Sequence, residues 1–240
     1  MPANGAPAGA TALIDTRIGR DCPLCPRLVA FRQSARGKQP TWHNAPVPSF
    51  GPVAARLLIV GLAPGLQGAN RTGRPFTGDY AGDLLYDTLA RYGFAAGEYQ
   101  ARPDDGLRLV DARITNAVRC VPPENKPVGA EIKQCRTFLT ATIAEMPNLA
   151  AIVMLGRIAH DSTVAALGRR LAAAPFGHGA QHLMDRLTLF DSYHCSRYNT
   201  NTGVLTPGMF REVFAAVRGY LDARSQPATT AALSSGGNTG

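Results

Sequence analysis

The stretch LLIVGLAPGLQGANRTGRPFTGDYAGDLLYDTLARYGF, residues 57–94, decides the fold. Its opening LLIVGL, from Leu57, is a continuous apolar run of strand length, the pattern of a strand buried on both faces. DLLYDTLARYGF, from Asp83, repeats its apolar residues at helical spacing and ends near Gly93. A strand, a polar glycine-rich loop and an amphipathic helix in succession form the unit of a parallel sheet covered by helices. The unit recurs downstream. A strand runs through RITNAVRC from Arg113, and a helix covers 128–146. AIVMLG from Ala151 is a third strand, RIAHDSTVAALG from Arg157 a helix, and TLFDSYH from Thr188 a fourth strand. PGMFREVFAAVRGYLDAR closes the series as a helix, with Pro207 where a first-turn proline is tolerated.

With 240 residues, 45% of them hydrophobic, the chain has material for one buried domain. That domain is expected over 13–224. Residues 1–12 are rich in Ala, Gly and Pro and residues 225–240 are small and polar, so both read as flexible tails. No secretory leader pattern occurs, and no apolar run nears the roughly 20 residues that span a bilayer. The expectation is a cytoplasmic, nucleoid-associated monomer. The formal net charge is +8, and of 25 cationic side chains only Lys38, Lys126 and Lys133 are lysines. Arginine's planar fork suits phosphate, and a cationic excess favours a polyanion. A basic protein with no nucleic-acid role fits the charge equally well.

In such sheets ligands bind beyond the carboxyl ends of the strands. Three polar segments converge there: GLAPGLQGANRTGRPFTGD after the first strand, Thr115, Asn116 and Arg119 on or after the second, and HCSRYNTNTG after the fourth. The first loop carries Gly61, Gly65, Gly68 and Gly73 but has neither the dinucleotide spacing nor a P-loop lysine. Arg71, Arg74, Phe76 and Asp79 follow the glycines. A stacking aromatic, cations and a carboxylate together suit a nucleobase and its phosphates. Cys22 and Cys25 form a C-x-x-C, Cys120 and Cys135 are 14 residues apart, and Cys195 stands alone. Four thiolates can hold zinc or an iron–sulfur cluster. A redox C-x-x-C with three ordinary buried cysteines is the other reading.

GLAPG followed by RTGRPFTGD, ITNAVRC with a further cysteine after a Pro-rich stretch, and HCSRYNTNTG together resemble the uracil-DNA glycosylase superfamily, in particular its family 5, or type B, branch. The resemblance runs from about Cys22 to the last helix. It implies an α/β fold, a three-layer α/β/α sandwich with a central four-stranded parallel sheet. It also implies a monofunctional DNA N-glycosylase of base excision repair acting on DNA that contains uracil or related lesions. A four-iron four-sulfur cluster, with zinc as the alternative, would sit at Cys22, Cys25, Cys120 and Cys135, leaving Cys195 out.

The resemblance further assigns roles around a flipped-out base. Gly61, Ala63, Gly65 and Phe76 would line its site, with Phe76 stacking on the ring; core packing is the competing reading of Phe76. Asn116 would bond the polar edge of the base, and His194 would donate to its O2. His178 is a second histidine candidate. Leu62 stands where other branches carry a polar residue, so Asp79 becomes the candidate for positioning water, in competition with a helix N-cap role. Gly65 lies where the classical branch has a bulky aromatic, which implies a roomier site open to some 5-substituted uracils or deaminated purines. Arg71, Arg74, Ser196, Arg197, Tyr198 and Asn199 would meet DNA, with Tyr198 as the wedge and Arg197 on a phosphate. Two other classes remain open: a cluster- or zinc-stabilised nucleic-acid-binding module without catalysis, and a small-molecule enzyme binding a phosphorylated ligand at the glycine-rich loop.

Overall fold

The computed structural model describes residues 18–225. The expected tails, apart from Ser225, and residues 13–17 of the expected domain lie outside the described residues. Helix α1 (Pro26–Lys38) opens on a proline and closes with Arg36 and Lys38 in its last turn, where cations meet the carbonyl end of the helix. Strand β1 (Leu57–Gly61) leads through the short helix α2 (Ala69–Thr72) to α3 (Tyr80–Arg91). Strands β2 (Ala95–Ala96) and β3 (Arg108–Leu109) form a small antiparallel pair beside the main sheet. Then follow β4 (Ala112–Asn116), α4 (Gly129–Ala144), β5 (Ala151–Leu155) and α5 (Arg157–Ala166), and finally β6 (Gln181–Met184), β7 (Leu187–Ser192), α6 (Arg197–Asn201) and α7 (Pro207–Ala223).

The strand order is β4-β1-β5-β7-β6. The first four are parallel, in register Leu57 to Ala112 and Ala151, and Ala151 to Thr188. The fifth, β6, pairs antiparallel with β7, so the sheet is five-stranded and mixed, where four parallel strands were expected. The reason is local: Asp185 and Arg186 turn the chain back at once, with Asp185 at φ 53°, and the partly exposed QHLM does not read as apolar.

The sheet is covered on both faces. Leu57 and Ile59 of β1 pack with Leu85 and Leu89 of α3 and Phe210 and Phe214 of α7. Leu58 and Val60 point the other way, onto Leu139 of α4 and Ala159 and Val164 of α5. The alternation follows from the two-residue period of a strand, and it makes the three α/β/α layers. A third, smaller cluster of Leu28, Val118 and Cys135 joins α1 to the end of β4.

Candidate base-binding site and cysteine cavity

Beyond the carboxyl ends of β1 and β4, three side chains close on one point. Gly61 ends β1, and a Cβ there would come closer than 3.0 Å to Asn116 Oδ1 and to the Phe76 ring. Only a bare backbone lets them approach. Asn116 is 3% exposed and its Oδ1 has no hydrogen-bond partner among the described residues. A buried unpaired acceptor is costly, so an acceptor left open here is suited to a ligand N–H. Phe76 is buried yet turns an edge to Gly61 and lies nearly parallel to His194, ring centroids 6.1 Å apart. The ring joins the main core cluster, as the packing reading of Phe76 expected, while its edge borders Gly61.

Phe76 has φ 53°, a left-handed conformation rare for an aromatic residue. Its neighbours hold it there: Tyr86 donates to the Pro75 carbonyl at 2.7 Å and Tyr99 to the Phe76 carbonyl at 3.2 Å. Arg74 completes the brace, and here an expectation fails. Arg74 is not a DNA contact: it is 5% exposed, grips Asp105 through two 2.7 Å bonds, donates to Thr77 Oγ1 and faces the rings of Phe50, Tyr86 and Tyr99. The Arg74 bonds hold the Asp105 carboxyl well below the usual carboxylate range.

His194 follows β7. Desolvation lowers its pKa to about 4, so at neutral pH it is an uncharged imidazole able to donate one N–H. Its carbonyl accepts from Asn199 Nδ2 at 2.8 Å. That amide is therefore spent on bracing the loop, where a DNA contact was expected. Asp79 takes the helix N-cap role: its side chain caps α3 by accepting from Gly82 N–H at 3.2 Å, while Oδ2 lies against the bare backbones of Gly65 and Gly68. Burial, helped by Asp83, raises the Asp79 pKa. Ala63, partly buried, packs against the Leu28, Val118 and Cys135 cluster.

On the surface, Arg71 is exposed and borders a basic recess with Arg20, Trp42, His43 and Arg102. Ser196 caps α6 by accepting from Asn199 N–H. Arg197 stacks on Tyr80 at 5.3 Å, and Tyr198 is 74% exposed, a large ring held out on a short capped helix. Cys195 is fully buried in the main core with its thiol towards the Ala81 carbonyl, apart from the other four cysteines.

Cys22, Cys25, Cys120 and Cys135 all line one cavity between α1, the end of β4 and α4. Burial pushes the thiols of Cys25, Cys120 and Cys135 up, to about 12 for Cys120 and about 11 for Cys135. Left to themselves they are neutral thiols, and a metal would have to displace their protons. No three of the four sulfurs lie within 4.8 Å of one another among the described residues.

Sequence reasoning missed a buried triad behind β7. His160 Nδ1 bonds Asp191 Oδ1 at 2.7 Å and His160 Nε2 bonds the Ala174 carbonyl at 2.8 Å, while His182 Nε2 reaches Asp191 Oδ2 at 3.2 Å. Burial lowers the His160 pKa, but Asp191 more than offsets it and the net shift is upward. The three groups lie within 4.8 Å of one another, close enough to hold a metal, yet each is already bonded within the protein. The triad clasps the 174–182 loop to the sheet. In that loop His178 accepts from Tyr193 N–H at 3.1 Å and stacks on its ring, a tether where a catalytic histidine was the second expectation. The only sequence signal was an aspartate inside an apolar strand, LTLFDS.

The chain matches the model of the Uracil DNA glycosylase superfamily over residues 48–218. It is 46% identical over 199 residues to a Type-5 uracil-DNA glycosylase of Thermus thermophilus, covering 80% of this chain and 90% of that protein. It is 42% identical over 203 residues to one of Mycobacterium tuberculosis (80% and 75%) and 37% identical over 197 residues to one of Pyrobaculum aerophilum (80% and 86%). With a strand-end glycine, a buried amide, an aromatic and a neutral histidine converging beyond the sheet, the chain belongs to the uracil DNA glycosylase superfamily.

Proposed function

We propose that the protein is a monofunctional DNA glycosylase that hydrolyses the N-glycosidic bond of uracil in DNA, leaving an abasic site for base excision repair. The observation that carries this is Asn116 Oδ1, unpartnered among the described residues and, with the Phe76 ring, close to Gly61, while Phe76 in turn faces His194. A flipped-out uracil fits these groups: Phe76 borders its ring, the Asn116 carbonyl accepts its N3–H, and His194 donates to O2. As the C1′–N1 bond breaks, the sugar gains oxocarbenium character and the base leaves as an anion. A neutral imidazole stabilises that anion by hydrogen bonding in a desolvated place. Water adds to C1′ and passes its proton to the Asp79 carboxylate, whose Oδ2 is free of the helix cap. Arg71, Arg197 and Tyr198 are the exposed groups placed to meet the duplex, Tyr198 as the wedge. With no side chain at Gly65, the site would also take some 5-substituted uracils or deaminated purines; a lesion panel yielding activity on uracil alone would refute that last point.

Cys22, Cys25, Cys120 and Cys135 fit a four-iron four-sulfur cluster. They share one cavity of mostly apolar lining. Among the described residues no three of their sulfurs lie within 4.8 Å of one another, whereas four sulfurs on a single tetrahedral zinc with bonds of about 2.3 Å would all be ~3.8 Å apart. When bound, the cluster supplies a cross-link between the segment before α1 and the chain after β4. Among the described residues no helix is long and apolar enough to cross a membrane. The basic, arginine-rich chain suits a nucleoid-associated monomer in the cytoplasm.

The test is cleavage of an end-labelled duplex with one uracil, followed by alkali, with Asn116→Ala and His194→Ala alongside. Strand scission should require uracil and fall by about 100-fold or more in each variant. No release of uracil, hypoxanthine, xanthine or 5-hydroxymethyluracil would make this a binding protein without catalysis.

A further inference from the structure

Two arginines occupy places where the fold calls for apolar side chains. Arg32 shares the inward face of α1 with Leu28 and Ala35 and is 3% exposed, and Arg119, three residues after β4, is also 3% exposed. Among the described residues neither makes an ion pair with a carboxylate. Arg32 donates to the Cys22 carbonyl at 2.9 Å and to Cys120 Sγ at 3.7 Å. Arg119 donates to the Val47 carbonyl at 3.2 Å and Thr142 Oγ1 at 3.0 Å, and its backbone N–H to Cys135 Sγ at 3.3 Å. In both, Nε has no hydrogen-bond partner among the described residues. A buried guanidinium without counter-charge is expensive. A fold that keeps two of them has an anion to put beside them.

The cavity supplies its place. Arg32 and Arg119 line the same cavity as the four thiols and, among the described residues, are the only charged ones in its lining. We infer that Arg32 and Arg119 are the built-in counter-charge of the group held by Cys22, Cys25, Cys120 and Cys135; the inference rests on the cluster reading above. Four thiolates around an oxidised four-iron core carry a net charge of about −2, and two guanidiniums carry about +2. Arg32 acts at Cys120 through its side chain. Arg119 acts at Cys135 through its backbone N–H, 3.3 Å from Sγ, and through its charge on the wall of the same cavity. Each reduction of the cluster adds a negative charge, so cations and donors beside the sulfurs make reduction easier and hold the thiolates in place.

The test uses the holoprotein and its Arg32→Gln, Arg32→Lys, Arg119→Gln and Arg119→Lys variants. Iron and acid-labile sulfide are assayed first: zinc alone, or no metal, in the wild type overturns the cluster reading itself. The midpoint potential then follows from a dithionite titration monitored by electron paramagnetic resonance, dithionite giving the electron and the cluster taking it. Each Gln variant should have a midpoint shifted to more negative potential and lose iron to a chelator about tenfold faster. The Lys variants, which keep the charge and lose the fork, should lie closer to the wild type than their Gln counterparts. Gln variants that hold full iron at an unchanged midpoint overturn the inference, as do Lys variants shifted as far as Gln. Should Arg119→Gln not fold, the Arg32 pair decides it alone.

Discussion

Asp105→Ala should be among the most damaging substitutions outside the base site. The Asp105 side chain is fully buried and meets the 5%-exposed Arg74 through two 2.7 Å bonds. Removing the carboxylate strands a guanidinium among Phe50, Tyr86 and Tyr99, and the N–H groups of Gln100 and Leu107 lose their acceptor. Breaking a buried pair from one side costs about 3–5 kcal/mol. For a chain of this size that is a fall in Tm of about 6–20 °C. Arg74→Met removes the stranded charge, so the double variant should be more stable than Asp105→Ala alone, a strongly non-additive cycle. Because Arg74, Tyr86 and Tyr99 hold Phe76 at its positive φ, turnover should also fall below the melting range. Chemical denaturation monitored by circular dichroism at pH 7 measures the cycle. A loss under about 1 kcal/mol in Asp105→Ala, or additive singles, refutes the reasoning. The pH dependence has a sign as well. The Asp105 carboxyl is depressed in the fold, so its contribution is present above the unfolded value of about 3.9 and is lost as pH falls from there towards the lower folded pKa. Asp105→Ala should show a shallower acid limb.

Three further outcomes follow from the base site. Gly61→Ala sets a Cβ against Asn116 and Phe76, so kcat/KM on uracil-containing duplex should drop by about 100-fold or more while circular dichroism still reports a folded chain; near-normal kinetics would remove Gly61 from the site. His194 has its pKa lowered to about 4, so nitrogen NMR of labelled protein should find a neutral imidazole throughout pH 5.5–8, and a protonation step near 6.5 would contradict the neutral-donor role. Tyr198→Ala, at a side chain 74% exposed, should leave Tm within about 1 °C yet lower kcat/KM on duplex more than on single-stranded DNA, since a wedge acts only where bases are stacked and paired. Equal losses on both substrates would make Tyr198 a plain contact.

The four parallel strands and their covering helices were legible because buried strands are continuous apolar runs and amphipathic helices show their period, as in LLIVGL and DLLYDTLARYGF. The convergence of Gly61, Asn116, Phe76 and His194 was legible from their motifs and from the rule that loops at strand ends build sites. Helix α1 was not, because its inward face reads Leu28, Arg32, Ala35, and an arginine at a core position erases the stripe. Strand β6 was not, because an edge strand that is half exposed carries little apolar signal. The cysteine spacing named the donors but not the two cations beside them. Arg74 and Asn199 looked like DNA contacts because sequence gives charge and polarity, not direction. Composition and periodicity thus determined the layers and the residue types at the strand ends, since both rest on local physics. Tertiary structure alone decided that Arg74 spends its charge on Asp105, that Asn199 holds the His194 carbonyl, and that Arg32 and Arg119 line the cavity of four thiols. Those are pairings between residues distant in the chain, and burial, which makes an unpaired charge costly, is what selects them.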